Sequence, residues 1–596
     1  MYGWTGRLLR VDLTSSNTII EEIPPEILRK FLGGRGLGAY LVYTEVPPES
    51  DPLGAENILA FCTGAMTGVR VPTGGRSSLS TRSPLTGAIH DSNAGSQFGV
   101  RLRWAGYDAL VVSGRADSPV WIEITAQGAQ IHPADHLWGL EIPAALEKVQ
   151  KRGAAAVAIG PAGENQVLFS SIADEHGRSY GRGGVGAVMG SKNLKALVAF
   201  GQQKPEIADK KVFDFVNYEA GKWIHASPRT STALPEFGTS VLVNLMNWYG
   251  VLPTRNFQKG EFRQAENISG ERLKEAFFVR RGACWGCPIG CKRNTRTSRG
   301  QGEGPEYETL YALGSSLEID DLETIIEANY LCNRLGMDTI SCGATIACAM
   351  ELAEHGALET DLQFGRADLL LQTVEDIAFR RGLGAELADG SKRLAARHGM
   401  PEVAIQTKGL EFPAYDPRGM QGQGLLYATS NRGACHLRGN MLGPELLGAP
   451  KMLDRHAYRG KAGIQIVLQH TDAVIDSIGM CKFVNYAIGD DFFARFISAV
   501  TGIHYEEQDL QLAGERIWNL ERLYNLRAGF TREDDTLPPR FLNQPLKEGA
   551  SAGHIVHLQE MLTEYYRFRG WDENGIPAPK KLAALGLTEL AAIEKG

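Results

Sequence analysis

The sequence predicts an α+β fold: a strand-rich first third, then two mostly helical regions. Three observations predict it. Short β-branched and aliphatic runs bounded by turn residues fill residues 1 to about 208. Beyond that point apolar residues recur three and four apart, the period of a helix. At 596 residues the chain also exceeds what one hydrophobic core holds, so it should divide into about three domains.

In chain order, "RLLRVDL", "NILAFCTG", "YDALVVSGR", "VWIEIT" and "LKALVAFG" read as strands of a first domain, residues 1–208. Four glycine clusters fall in the same region: "FLGGRGLGAY", "PTGGRSS", "DSNAGSQFG" and "YGRGGVGAVMGSKN". Such clusters permit positive φ and close backbone approach, and four together point to an anion-binding floor. The polar stretch "GQQKPEIADKK" closes the domain. In the second, residues 209–412, "DLETIIEANYLCNRLG" reads as a helix ending at glycine, and "TISCGATIACAMELAEHGAL" as another. A break near 408–424 leads to the third region, 413–596, where "AGERIWNLERLYNLRAGF" is helical.

Composition excludes several classes. A formal net charge of -7 argues against nucleic acid or an anionic membrane as the main partner. "YGWTGRLLRVDLTS" after Met1 lacks the apolar core of a secretory signal, and no run of about 18 apolar residues could span a bilayer. The expected compartment is the cytoplasm, where nine cysteines read as metal ligands, reactive thiols or core residues rather than disulfides.

"RRGACWGCPIGCKRNT" places Cys284, Cys287 and Cys291 in a Cys-x2-Cys-x3-Cys array. Three sulfurs on a glycine-containing loop can converge on one centre, an iron–sulfur cluster or zinc with a fourth ligand from elsewhere, the alternative being unliganded cysteines. Zinc sites usually pair two Cys-x2-Cys knuckles, and here there is no second. Cys481 is the candidate fourth ligand and Cys435 its rival. Cys332, Cys342 and Cys348 read as core residues on apolar helical faces, and Cys62 falls in a strand-end turn. "NRLGMD" (333–338) and "DSIGMC" (476–481) echo one another, as two helix ends presenting equivalent groups to a pseudo-symmetric ligand would.

Taken in order, "YGRGGVGAVMGSKNLKAL", "CWGCPIGC", "GPEYETLYALG", "LGMD", "YATSNRGACHLRG" and "DSIGMC" resemble the tungsten-dependent aldehyde:ferredoxin oxidoreductases, from "GWTGRLLRVDLT" to "RAGFTREDDTLPPR". The resemblance implies an N-terminal base of two β-sheets and two mostly helical domains enclosing a buried bis-pyranopterin tungsten. A 4Fe–4S cluster would lie nearby, and Mg²⁺ would bridge the pterin phosphates. The metal sulfurs belong to the cofactor, so molybdenum is an alternative to tungsten.

Carried over by position, the cluster ligands are Cys284, Cys287, Cys291 and Cys481. The cofactor contacts are Arg76, Asn93, Gly95, Arg182, Gly183, Gly184, Val185, Asn333, Asp338, Arg438, Asp476 and Gly479. Guanidinium and backbone N–H groups suit phosphates, and carboxylates suit pterin N–H donors. Relatives often carry Asp where this chain has Asn333. The stretches "EANY" and "EDIA" lack the histidine of a Glu-x-x-His iron bridge, so an oligomer would be built without that iron.

The resemblance implies Glu308 and His436 as the acid–base residues, with an aldehyde as substrate and ferredoxin or an iron–sulfur subunit as acceptor. Rival readings are an aromatic acyl-CoA reductase catalytic subunit, a cluster-only electron-transfer subunit and a zinc-stabilised binding protein.

Overall fold

The fold is described from a computed structural model covering residues 2–592. Two six-stranded mixed sheets form the base. In the first, the strands Arg7–Asp12, Leu59–Thr63, Ser77–Arg82, Ile89–Ala94 and Ala109–Ser113 join the edge strand Asn17–Glu22. The second contains Val120–Thr125, Ala155–Ala158 and Leu194–Ala199. Each strand expected from the sequence forms, and Cys62 lies within one of them, not in a turn.

The central strands of the first sheet read as unbroken apolar runs because both faces are covered. Leu110 and Val112 face a core shared with Ile122, Val157 and Leu197 of the second sheet. Ala109 and Val111 face the opposite way, onto Ile475, Ile478 and Phe493 from the C-terminal helices. The second sheet is covered on its far side by the helix Ile142–Val149.

Beyond residue 209 the chain is mostly helical. Leu322–Leu335, Thr339–Glu354 and Glu507–Arg527 are the three helices read from periodicity. Cys332, Cys342 and Cys348 are fully buried in an apolar core that runs on to Leu425 and Tyr565. No helix among the described residues is long and apolar enough to cross a membrane.

The glycine clusters behave differently from the sequence expectation. Of their glycines, only Gly33, Gly34, Gly183 and Gly184 have positive φ. Gly36 and Gly38 instead lie inside a helix, Gly34–Glu45. There the missing side chain serves packing: a Cβ on Gly38 would sit 2.1 Å from Ser80 Oγ. Gly34 (φ 40°) shows the same constraint where this helix meets the C-terminal region, since a Cβ would lie 2.3 Å from the Asp476 carbonyl oxygen. Backbone cannot yield as a flexible side chain can. Gly34→Ala should cost about 1–3 kcal/mol, read as a lowered urea midpoint at unchanged slope.

Candidate active site

The hairpin of Phe278–Gly282 and Lys292–Arg296 closes with Gly282 paired to Lys292, holding both ends of the cysteine loop. Gly286 and Gly290, at φ 65° and 63°, turn the chain between the thiols. Cys284, Cys287 and Cys291 line one cavity with Cys481, Thr73, Gly75 and Arg76. Cys435 lies elsewhere, its Sγ accepting from Arg432 Nη2 (2.8 Å) and the Leu437 N–H.

Arg76 links this cavity to the first sheet. Its Nη2 donates to Cys481 Sγ at 3.3 Å, and its Nη1 lies 3.3 Å from Asn93 Oδ1. A Cβ on Gly95 would approach Cys284 Sγ to 2.6 Å, so only glycine fits against that thiol. Burial pushes the Cys287 thiol up to about 11 and raises Cys291 further, so binding a cationic metal must draw the protons off. An all-sulfur donor set suits iron–sulfur clusters and zinc alike. Among the described residues, however, no three His, Cys, Asp or Glu side chains are grouped to hold a single metal ion. The four thiols that line the cavity match the four thiolates that an iron–sulfur cluster or structural zinc takes.

A second cavity opens between the first sheet and the helical region. Arg35, His90, Asp91, Arg432, Arg438 and Glu521 line it. Arg35 is clamped by Glu521 through two 2.7 Å bonds and lies 3.4 Å from Asp91. Arg438 joins Asp91 (2.6 Å) to Asp476 (3.0 Å), and Lys482 reaches Asp476 at 2.8 Å. Despite burial, Arg438, Arg35 and Arg432 hold the Asp91 carboxyl well below its usual range. Several buried polar atoms nevertheless have no hydrogen-bond partner: Arg35 Nη1, Ser80 Oγ, both His90 ring nitrogens, Asp91 Oδ2 and Arg432 Nε. Such atoms are costly unless something pairs with them. Unspent guanidinium donors beside free carboxylate and imidazole positions fit a ligand with both anionic oxygens and N–H groups, as a phosphorylated pterin has.

The two echoed motifs both end helices at a left-handed glycine, Gly336 (φ 82°) and Gly479 (φ 88°). Gly479 takes the Arg76 N–H on its carbonyl at 3.2 Å, and a Cβ there would strike Thr67 Oγ1 at 2.2 Å. Asp338 caps Thr339–Glu354 and receives Arg182 Nε at 3.0 Å. The remaining Arg182 nitrogens donate to the carbonyls of Ala434 and Glu411, behind the helix start formed by Gly183, Gly184 and Val185. Asn333 does not mirror Asp476: it is half-buried beside the Gly177 turn, whereas Asp476 is buried among cations.

Glu308 sits in the first turn of Tyr307–Leu313. Its Oε2 accepts the Ala414 N–H at 2.9 Å, and its Oε1 lies 3.4 Å from His436 Nε2. The strap carrying Ala414 is pinned by tyrosine hydroxyls: Tyr307 to the Ala414 carbonyl, Tyr311 to Phe412 and Tyr427 to Tyr415. Burial pushes Glu308 up to about 8. Burial and then the charges of Arg182, Arg432 and Arg438 hold His436 well below its ordinary value, hence neutral. Glu306, two residues earlier, stands at the N-cap position and its carboxylate receives the Thr239 hydroxyl, a separate environment.

Arg35, His90, Asp91 and Arg432 were not expected from the sequence, although each falls within or beside a motif singled out there. The signal was present for Arg35 at the centre of "GGRGLG", but the glycines around it drew the reading toward backbone contacts.

A four-thiol cavity, a charge-lined cavity and a buried carboxylate–imidazole pair, joined through Arg76, Asp476 and Arg182, suit a metal-dependent oxidoreductase. Residues 8–201 match the N-terminal domain of aldehyde ferredoxin oxidoreductase, and residues 216–587 match its domains 2 and 3. The chain is 45% identical over 603 residues to tungsten-containing aldehyde ferredoxin oxidoreductases of Pyrococcus furiosus and Thermococcus kodakarensis, covering 99% of this chain and 100% of each relative. It is 30% identical to the WOR-like subunit of an aliphatic sulfonate oxidoreductase of Pyrococcus furiosus, over 99% of this chain and 98% of that one. Its fold is similar to that of the active-site complex BamBC of benzoyl coenzyme A reductase, with TM-score 0.87 at 23% identity, over 99% of this chain and 98% of the other. The chain belongs to the aldehyde ferredoxin oxidoreductase family.

Proposed function

We propose that the protein oxidises aldehydes with water to carboxylic acids, releasing two protons and two electrons per turnover. The electrons would leave singly through a 4Fe–4S cluster on Cys284, Cys287, Cys291 and Cys481, to ferredoxin or a dedicated iron–sulfur subunit. The buried pair of Glu308 and His436 carries this reading: Glu308 Oε1 and His436 Nδ1 have no hydrogen-bond partner, so both remain free for a substrate.

When bound, a tungsten bis-pyranopterin supplies the two-electron sink. Arg35 and Arg432, each with a buried guanidinium nitrogen that lacks a hydrogen-bond partner, would hold its anionic groups, and Mg²⁺ would help to offset their charge. Glu308, as carboxylate, takes a proton from the attacking water, and the Ala414 N–H fixes which oxygen does so. Neutral His436 donates a hydrogen bond to the substrate carbonyl oxygen or receives the proton from Glu308. Arg76 keeps Cys481 beside the Asn93 strand, so the two sites stay in register. The nine free cysteines fit a reducing cytoplasm.

The acyl-CoA reductase reading is not favoured. The 45% identical relatives are aldehyde ferredoxin oxidoreductases, and the likeness to the reductase, at 23% identity, concerns the fold. Anaerobically purified protein should contain tungsten or molybdenum, iron and acid-labile sulfide, and should reduce a viologen dye with members of an aldehyde panel. Protein holding iron but neither group-six metal nor pterin would overturn the proposal.

A further inference from the structure

The cysteine loop lies close beneath the surface. Cys284, Cys287 and Cys291 are half-buried, and Ala283, Gly286 and Pro288 between them are exposed. Arginines flank this loop on two sides. Arg280 and Arg281 are exposed on the strand that leads into it, and Arg281 packs against Gly290, where a Cβ would lie 3.2 Å from its Nε. Arg70 is exposed on a separate segment that docks on the same loop, with the Thr73 N–H donating to the Gly286 carbonyl at 3.3 Å. None of the three takes part in an ion pair among the described residues, whereas nearby Lys274 and Arg272 are paired with Glu236 and Glu275. Glu303, two strands away in the same sheet, is turned inward to Arg178 and Lys292 and does not neutralise them.

On a chain of formal net charge -7, three arginines without an ion pair thus flank the loop that carries three of the four thiols lining the cavity. Apolar surface accompanies them. Val279 is exposed beside Arg280, and Trp285 is half-buried with its ring edge-on to Trp104, centroids 5.7 Å apart. Arginine beside an aromatic ring is the composition enriched at protein interface centres.

We infer that Arg70, Arg280 and Arg281, around Val279 and Trp285, form the docking surface for a small acidic one-electron iron–sulfur carrier. This rests on the proposed exit of electrons through the Cys284–Cys481 cluster. Electron transfer falls steeply with distance, so a carrier must dock over the loop. Opposite charges steer it there at rates that fall with ionic strength. The step is balanced: one electron leaves the reduced cluster and one oxidised carrier cluster is reduced, with no bond made or broken.

The test uses holoenzyme and a purified acidic 4Fe–4S ferredoxin. Arg280→Glu/Arg281→Glu and, separately, Arg70→Glu should each raise the KM for ferredoxin at least tenfold at low salt and flatten the salt dependence. Aldehyde oxidation with a viologen dye, which needs no such surface, should stay within twofold of wild type and certify an intact enzyme. A ferredoxin-linked kcat/KM within twofold of wild type in both variants would overturn the inference, as would a wild-type rate indifferent to salt. To separate this from the aldehyde reading, dithionite-reduced, desalted protein is mixed with oxidised ferredoxin in a stopped-flow instrument. Impaired transfer in the variants supports the surface even if no aldehyde is oxidised, and equal transfer in variants and wild type rejects it.

Discussion

Glu308→Gln abolishes most aldehyde oxidation, lowering kcat by about 10²–10⁴-fold, while tungsten, iron and the cluster spectrum stay at wild-type levels. Glutamine keeps an acceptor for the Ala414 N–H, so the helix and strap remain in place. What disappears is the proton acceptor facing His436. The same residue sets the pH profile. Burial raises its pKa to about 8, so at pH 7 most of the protein carries the protonated acid. A base works only when deprotonated. Wild-type kcat should therefore climb as pH rises through about 8, and the residual activity of the glutamine variant should be flat there. A kcat for Glu308→Gln within threefold of wild type would remove Glu308 from the mechanism.

Asp476→Ala is expected to lose both metal centres and to destabilise the fold by about 3–5 kcal/mol, the cost of breaking a buried ion pair from one side. Asp476 is buried and engages Arg438 and Lys482, with Arg35 at 3.8 Å. Removing the carboxylate leaves these cations facing each other. Five residues on, Cys481 shares the same helix end, so relaxation of the Arg438–Lys482 cluster reaches the thiol cavity. Tungsten and iron per protein, measured with the urea midpoint, check this. Asp476→Asn, which keeps the shape but not the charge, should retain more of both metals than alanine. Wild-type iron content in Asp476→Ala would show that the two centres are independent.

The parts of this architecture readable from sequence are those with local causes. Leu322–Leu335 announces itself through its period and its terminal Gly336. The cysteine loop announces itself through the spacing of three thiols. Glu308 and His436 entered through family likeness, since nothing in "PEYET" alone distinguishes Glu308 from Glu306. Only the fold separates them, by giving Glu306 to Thr239 and Glu308 to Ala414. The charge-lined cavity was legible only in part because its groups are distant in sequence: Arg35 meets Glu521, and Asp91 meets Arg438. Glycines 36 and 38 misled for a related reason. A glycine needed for close helix packing looks the same in sequence as one needed for a turn, until the Ser80 strand is seen pressing on it.

About 190 residues separate Cys291 from Cys481, the thiol that Arg76 positions. At a synthesis rate of about 5–20 residues per second, the first three cysteines emerge from the ribosome roughly 10–40 s before the fourth. A cubane delivered in that interval meets an incomplete and more exposed ligand set. Maturation of the proposed iron centre would thereby be tied to completion of the polypeptide. The C-terminal region would act as a latch, closing over inorganic cargo that three thiols alone hold less firmly.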